Sequence, residues 1–166
     1  MPIRALSRRA VVSAVGALAL APAAALAQPA VRFRAVRADV GPLRANVGDP
    51  TASWVGQALP GMLAQALGPY FAPGDRGGAT LIARIDGLYL GPNTGTGPLG
   101  SSQDTIAGAL IIQGPRGSIG TETPLRAISS YYQSPVDQAL VVQSNHNRIV
   151  ALAQAFAFWA PRQLGL

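Results

Sequence analysis

Two hydrophobic periods alternate along this chain. The stretch VRFRAVRADV, Val31–Val40, places apolar residues between Arg32 and Arg34, the period of a half-buried strand. GPLRANVGDP follows and reads as a loop. From Asp49 the period changes to four. The pairs Trp54/Val55, Ala58/Leu59, Met62/Leu63 and Ala66/Leu67 fall on one stripe of a helix. Asp49 reads as its N-cap, Pro50 as its first helical residue and Gly68-Pro69 as its stop. Pro60 sits inside the stripe. It deletes one N–H and presses toward the carbonyl of Gly56, so the pattern predicts a kink rather than a break.

ATLIARIDGLYL, Ala79–Leu90, returns to period two, with Leu81, Ala83 and Ile85 on one face and Ile82, Arg84 and Asp86 on the other. TIAGALIIQ, Thr105–Gln113, is apolar on both faces and reads as a central strand. Gly114–Gly117 is a turn, and Ser118–Tyr131 is a fourth strand that Pro124 confines to an edge or a bulge. Ser134-Pro135-Val136-Asp137 has the form of a capping-box variant. After it Ala139, Val142, His146, Ile149, Ala153, Phe156 and Ala160 recur at three and four up to Pro161, which reads as the stop. The polar run Ser144–Asn147 is a candidate break within this helix. The order β-α-β-β-β-α predicts a two-layer α+β domain, a mostly antiparallel four-stranded sheet with two helices on one face.

The first residues carry neither period. Arg4, Arg8 and Arg9 precede an apolar run from Val11 to Ala21, then Pro22 and Ala25-Leu26-Ala27. A basic start, a short apolar middle and an A-x-A end describe a cleavable export signal over residues 1–27, with 28–166 as a single domain. Ser7-Arg8-Arg9 also looks like the twin-arginine form of such a signal. Removing 27 of 166 residues leaves 139, enough to bury a core without staples. The chain has no cysteine, hence no disulfide, no thiolate metal site and no lipid-bearing cysteine behind the signal. No apolar run after the signal reaches the length that spans a bilayer. The expected location is therefore the periplasm.

Charge changes the picture little. The formal balance is +6, but three of the thirteen basic residues lie in the signal, leaving ten arginines against seven acids, or +3. No basic cluster forms, so nucleic acid is not an expected partner. Arg32 and Arg34 read as a solvated strand face.

The candidate chemistry is sparse. Gly95, Gly97 and Gly100, within GPNTGTGPLGSSQD (Gly91–Asp104), spell G-x-G-x-x-G. A dinucleotide turn needs a helix N-terminus aimed at the pyrophosphate. Here a strand follows, and Glu122, placed like the acid that contacts ribose, lies beyond a turn in the fourth strand. The stretch reads instead as a long hairpin loop, with Leu99 among the residues it offers to a partner. His146 is the only histidine and has no nucleophile or carboxylate at a useful spacing, so it reads as a packing residue. With one histidine and seven scattered acids, no metal or other cofactor is expected. Tyr131, Tyr132 and Phe156 read as core. Core packing is the default for Phe158 and Trp159 too, but positions 156 and 158 point apart on a helix, so Phe158 or Trp159 is a candidate for a partner surface.

The segment DPTASWVGQALPGMLAQAL carries a resemblance. Trp54, Val55, Leu59 and Pro60 match the Trp-Val/Ala-x-x-Leu-Pro run that opens the first helix in auxiliary envelope proteins of ABC-type lipid transport. The order of elements is also similar to the small lipoprotein partner of the lipopolysaccharide-assembly translocon. The resemblance implies a non-enzymatic protein that binds other envelope components. Those families carry a lipidated cysteine, which this chain lacks. The expectation is a periplasmic binding or assembly protein, its partner another envelope protein or a lipid. The alternative is a small-ligand or lipid carrier with an apolar groove between helix and sheet.

Overall fold

The computed structural model describes residues 31–92, 101–132 and 141–166. The export segment 1–27 and the glycine positions 95, 97 and 100 lie outside the described residues. The elements run β1 (Phe33–Asp39), α1 (Gly41–Val47), α2 (Thr51–Leu67), β2 (Ala79–Tyr89), β3 (Ser101–Gln113), β4 (Ile119–Tyr132) and α3 (Val141–Gln163). A single 3-10 turn, Gly68–Tyr70, follows α2. The sheet order is β1-β2-β3-β4. β1 pairs parallel to β2, whereas β2/β3 and β3/β4 are antiparallel. The sheet is therefore mixed, and the expected two-layer α+β class holds.

Three details differ from expectation. GPLRANV is a helix, not a loop, which makes three helices among the described residues. The carboxylate of Asp39 accepts the N–H of Gly41 at its start, Leu43 is its one buried side chain, and Asn46 donates to the carbonyl of Asp86 in β2. β3 begins at Ser101 rather than Thr105, so Ser101–Asp104 belong to the sheet and the glycine loop is shorter than its sequence suggests. Pro161 lies inside α3 instead of ending it. It falls in the last turn, where the N–H groups of Leu164 and Leu166 still bond its carbonyl.

α2 follows its stripe. Val55, Leu59, Leu63 and Leu67, four apart, are fully buried, and the helix runs through Pro60 without interruption. The helix starts at Thr51, so Pro50 rather than Asp49 stands in the N-cap position; Asp49, one residue earlier, still accepts the backbone N–H of Ser53 at 3.1 Å and its hydroxyl at 2.7 Å. Gly68, with φ +48°, supplies the positive φ at the exit that a side chain would strain. Trp54 is half-buried and meets the ring of His146 edge-on at 5.1 Å, so it joins α2 to α3 rather than facing the sheet. That contact is the packing role expected for His146.

α3 is continuous through Ser144–Asn147. Gln143 and Asn147 bond across one turn, while Ser144 and Arg148 turn inward. Ile149, Ala153, Phe156 and Ala160 are buried as the period predicts, Leu152 is buried beside them, but Val142 is exposed. One core joins Leu81, Ala83 and Ile85 of β2, Ile106 and Leu110 of β3, Leu125 and Ala127 of β4, and the inner faces of the helices. Gly108 in β3 is the close-approach point: a Cβ there would collide with the Arg84 carbonyl oxygen of β2. On the other face of the sheet Arg84 reaches Asp86 and, across β3, Glu122, each at 2.8 Å. Glu122 is thus an ion-pair partner in the sheet, and these two carboxylates raise the Arg84 pKa.

Candidate functional site

The described ends of the glycine loop meet in a buried polar knot. Asp104 is fully buried and Arg148 is 3% exposed. Arg148 Nε donates to Asp104 Oδ2 at 2.9 Å, and its Nη2 donates both to Asp104 Oδ1 and, at 2.7 Å, to the carbonyl of Gly91. The Gly91 N–H returns to Asp104 Oδ1 at 2.9 Å. A Cβ at Gly91 would lie 2.8 Å from the Gln103 carbonyl oxygen, so glycine lets the two ends run this close. The knot satisfies both charges with several hydrogen bonds, the condition for burying an ion pair.

The second feature lies toward the other end of α3. Phe158 is 70% exposed and Trp159 42%, and the rings meet edge-on at 5.5 Å. The Arg162 guanidinium lies 5.6 Å from the Trp159 ring centre, within cation–π range. Helical phase explains the difference: Phe156, Ala157 and Ala160 take the buried side, Phe158 falls opposite it, and Trp159 falls on its flank, half in contact with the groove. Trp159 and Gln163 form one wall of an open groove whose other wall is Leu125–Ile128 of β4. Gln163 Nε2 donates to the Pro124 carbonyl at 3.2 Å, closing one end of the groove. Ile128 is 49% exposed.

Of the residues singled out in the sequence, Phe158 and Trp159 stand on one surface. Gly95, Gly97, Leu99 and Gly100 lie outside the described residues, so their relation to that surface rests on the loop's ends. Asp104 is met by Arg148, eleven residues before Trp159, which is about 16 Å of helix. The loop's base and the aromatic patch therefore sit toward opposite ends of α3. Loop and patch do not share the Asp104 anchor. Sequence reasoning passed over Arg126, Ile128 and Gln163, whose only signal was their place on an edge strand and a helix end. It also passed over Asp104 and Arg148, each a charge on the face of its element that Ile106 and Leu110, or Leu152 and Phe156, make apolar.

The segment after the loop is the strand β3, so no helix N-terminus follows the glycines, and the geometry of a dinucleotide turn is not met. Among the described residues no three His, Cys, Asp or Glu side chains come together as a metal site. No described helix is long and apolar enough to cross a membrane.

No protein-family model and no curated protein matches the chain. Among solved structures, a minor lipoprotein from Acinetobacter baumannii is similar at 14% identity and a TM-score of 0.38, over 78% of this chain and 91% of that one.

Proposed function

We propose that this chain is an exported, non-enzymatic binding or assembly protein of the cell envelope, acting in the periplasm and holding its partner at the aromatic end of α3. The observation that carries this reading is the exposed Phe158–Trp159–Arg162 cluster beside the groove along β4. Large aromatics and arginine contribute most to protein interfaces, and two adjacent rings left in water are otherwise costly. The basic and apolar N-terminal segment ending in Ala25-Leu26-Ala27 supports export. Between helices and sheet the space is occupied by fully buried side chains, among them Leu59, Leu63, Leu110, Leu152 and Phe156. That packing favours an assembly protein over a carrier with an internal apolar groove.

The test is photo-crosslinking in intact cells. A benzoylphenylalanine at position 158 should trap an envelope protein, and the same group at exposed Arg76, near the start of β2, should not. Equal trapping at both positions, or none at 158, would remove the aromatic patch from consideration. Mass spectrometry of the exported chain should find Gln28 at its start; a retained Met1 would refute signal cleavage.

A further inference from the structure

β4 is an outer strand, and a proline fixes which way its backbone faces. Pro124 stands opposite Ala109. In an antiparallel ladder, residues directly opposite either exchange two hydrogen bonds or turn their N–H and C=O groups away from each other. Pro124 has no N–H to exchange, so the pair is of the second kind. The bond from Gln163 Nε2 to its carbonyl agrees, because that oxygen is not used by β3. The register runs without a shift from Glu122 to Tyr132. Every second residue therefore follows Pro124: the N–H and C=O groups of Arg126, Ile128 and Ser130 point outward. No described backbone group bonds them.

The other edge is different. β1 has seven residues, and its first is already bridged on the outside by Phe71, with the Ala72 N–H donating to the Phe33 carbonyl. Folded proteins usually blunt an open edge with a bulge, a proline, a charge or a cover. On β4, Pro124 and Gln163 blunt one end. From Arg126 onward the edge is straight and carries one charge, with Trp159 alongside.

We propose that β4 accepts an extended segment of the partner protein as a fifth strand, pairing with Arg126, Ile128 and Ser130. This rests on the reading that the α3 end is the partner surface. The groove selects the segment's chemistry. On the open face the added strand runs beside Arg126 and Ile128, and on the helix face beside Trp159 and Arg162. Both arginines are exposed, and Glu122, the one acid on β4, is already engaged by Arg84. The matching segment alternates, its acidic side chains on the open face beside Arg126 and its apolar ones on the helix face beside Trp159. A second copy of this chain matches poorly: its β4 edge, paired about Ile128, sets Ser130 rather than an acid against Arg126, and β1 offers Arg34 and Arg37 with its one acid, Asp39, already accepting the Gly41 N–H.

A capped eight-residue peptide alternating valine with aspartate and glutamate is the probe, with a lysine-for-acid version as its control. Binding is read from tryptophan emission in a Trp54→Phe background. The acidic peptide should bind at least tenfold more tightly than the basic one, and Arg126→Glu should reverse that order. Ile128→Pro removes an outward N–H that β3 does not use, so unfolding should stay cooperative while peptide affinity falls at least tenfold. Ile128→Val should retain binding. If Ile128→Pro folds and binds unchanged while Trp159→Ala abolishes binding, strand addition is overturned and the aromatic docking surface stands. If neither peptide binds at millimolar concentration, strand addition is overturned, and crosslinking at position 158 decides the broader reading alone.

Discussion

The sharpest quantitative test lies in the knot that closes the glycine loop. Arg148→Met keeps the length and most of the volume of the side chain but leaves Asp104, fully buried, with the Gly91 N–H at 2.9 Å as its remaining donor among the described residues. Removing one partner of a buried ion pair costs about 3–5 kcal/mol, because the other charge is left without compensation. Asp104→Asn strands Arg148 in the same way. A domain of this size is stable by about 5–15 kcal/mol in all, so either change takes a large share. At an m-value of about 2 kcal/mol/M, the urea midpoint should fall by roughly 2 M. The double variant carries neither charge, and its loss should be smaller than the sum of the single losses by about 2 kcal/mol or more. The assay is urea unfolding of the chain from Gln28, followed by tryptophan fluorescence. Single losses below about 1 kcal/mol, or strictly additive ones, would refute the buried pair.

Other outcomes follow from named contacts. Leu63→Ala should cost about 2–5 kcal/mol by chemical denaturation, since Leu63 is fully buried between α2 and the core; a change below about 0.5 kcal/mol would place that face in water. Gly108→Ala should destabilise beyond the ~1 kcal/mol of an ordinary substitution, because the new methyl collides with backbone rather than a movable side chain; an unchanged melting temperature would count against the β2/β3 register. The bond from the Ser53 hydroxyl, then the Arg44 charge, lowers the Asp49 pKa. A depressed carboxyl stabilises the fold above its unfolded value, near 4, and that contribution is lost as pH falls through the folded value. Asp49→Asn should therefore flatten the acid limb of stability against pH while changing little below it, and an unaltered limb would remove the Asp49–Ser53 contact from the account.

The strands and the α2 stripe were legible because each rests on a period of a few residues. Leu81, Ala83 and Ile85 alternate, Leu59, Leu63 and Leu67 recur at four, and both patterns survive into the fold. α1 was not legible: seven residues with only Leu43 buried carry less than one repeat of a stripe, and Gly41-Pro42 resembles a turn. The parallel pairing of β1 with β2 was also hidden, since strand direction depends on how α1 and α2 carry the chain back and not on either strand's residues. Helical phase separated Phe158 from Phe156, but it sets Trp159 only about 60° from Phe156, so the exposure of Trp159 was not legible from phase. Asp104 and Arg148 stand 44 positions apart, and only the fold brings them into contact. The clue was a charge where the period calls for an apolar residue, and a single charge does not name its partner.

The position of α3 in the chain has a consequence for how the protein is made. α3, made after every described strand, supplies Ile149, Leu152, Ala153 and Phe156 to the core and, among the described residues, the cation that meets Asp104. Until α3 leaves the ribosome, the inner face of β3 and β4 lacks its main described cover, and the Asp104 carboxylate keeps its hydration. Burying it before Arg148 arrives would leave an uncompensated charge. The sheet is held back from closing until α3 has been made. A nascent chain that stays open until then remains threadable, and the switch to a compact state waits on α3 rather than on any earlier described helix or hairpin.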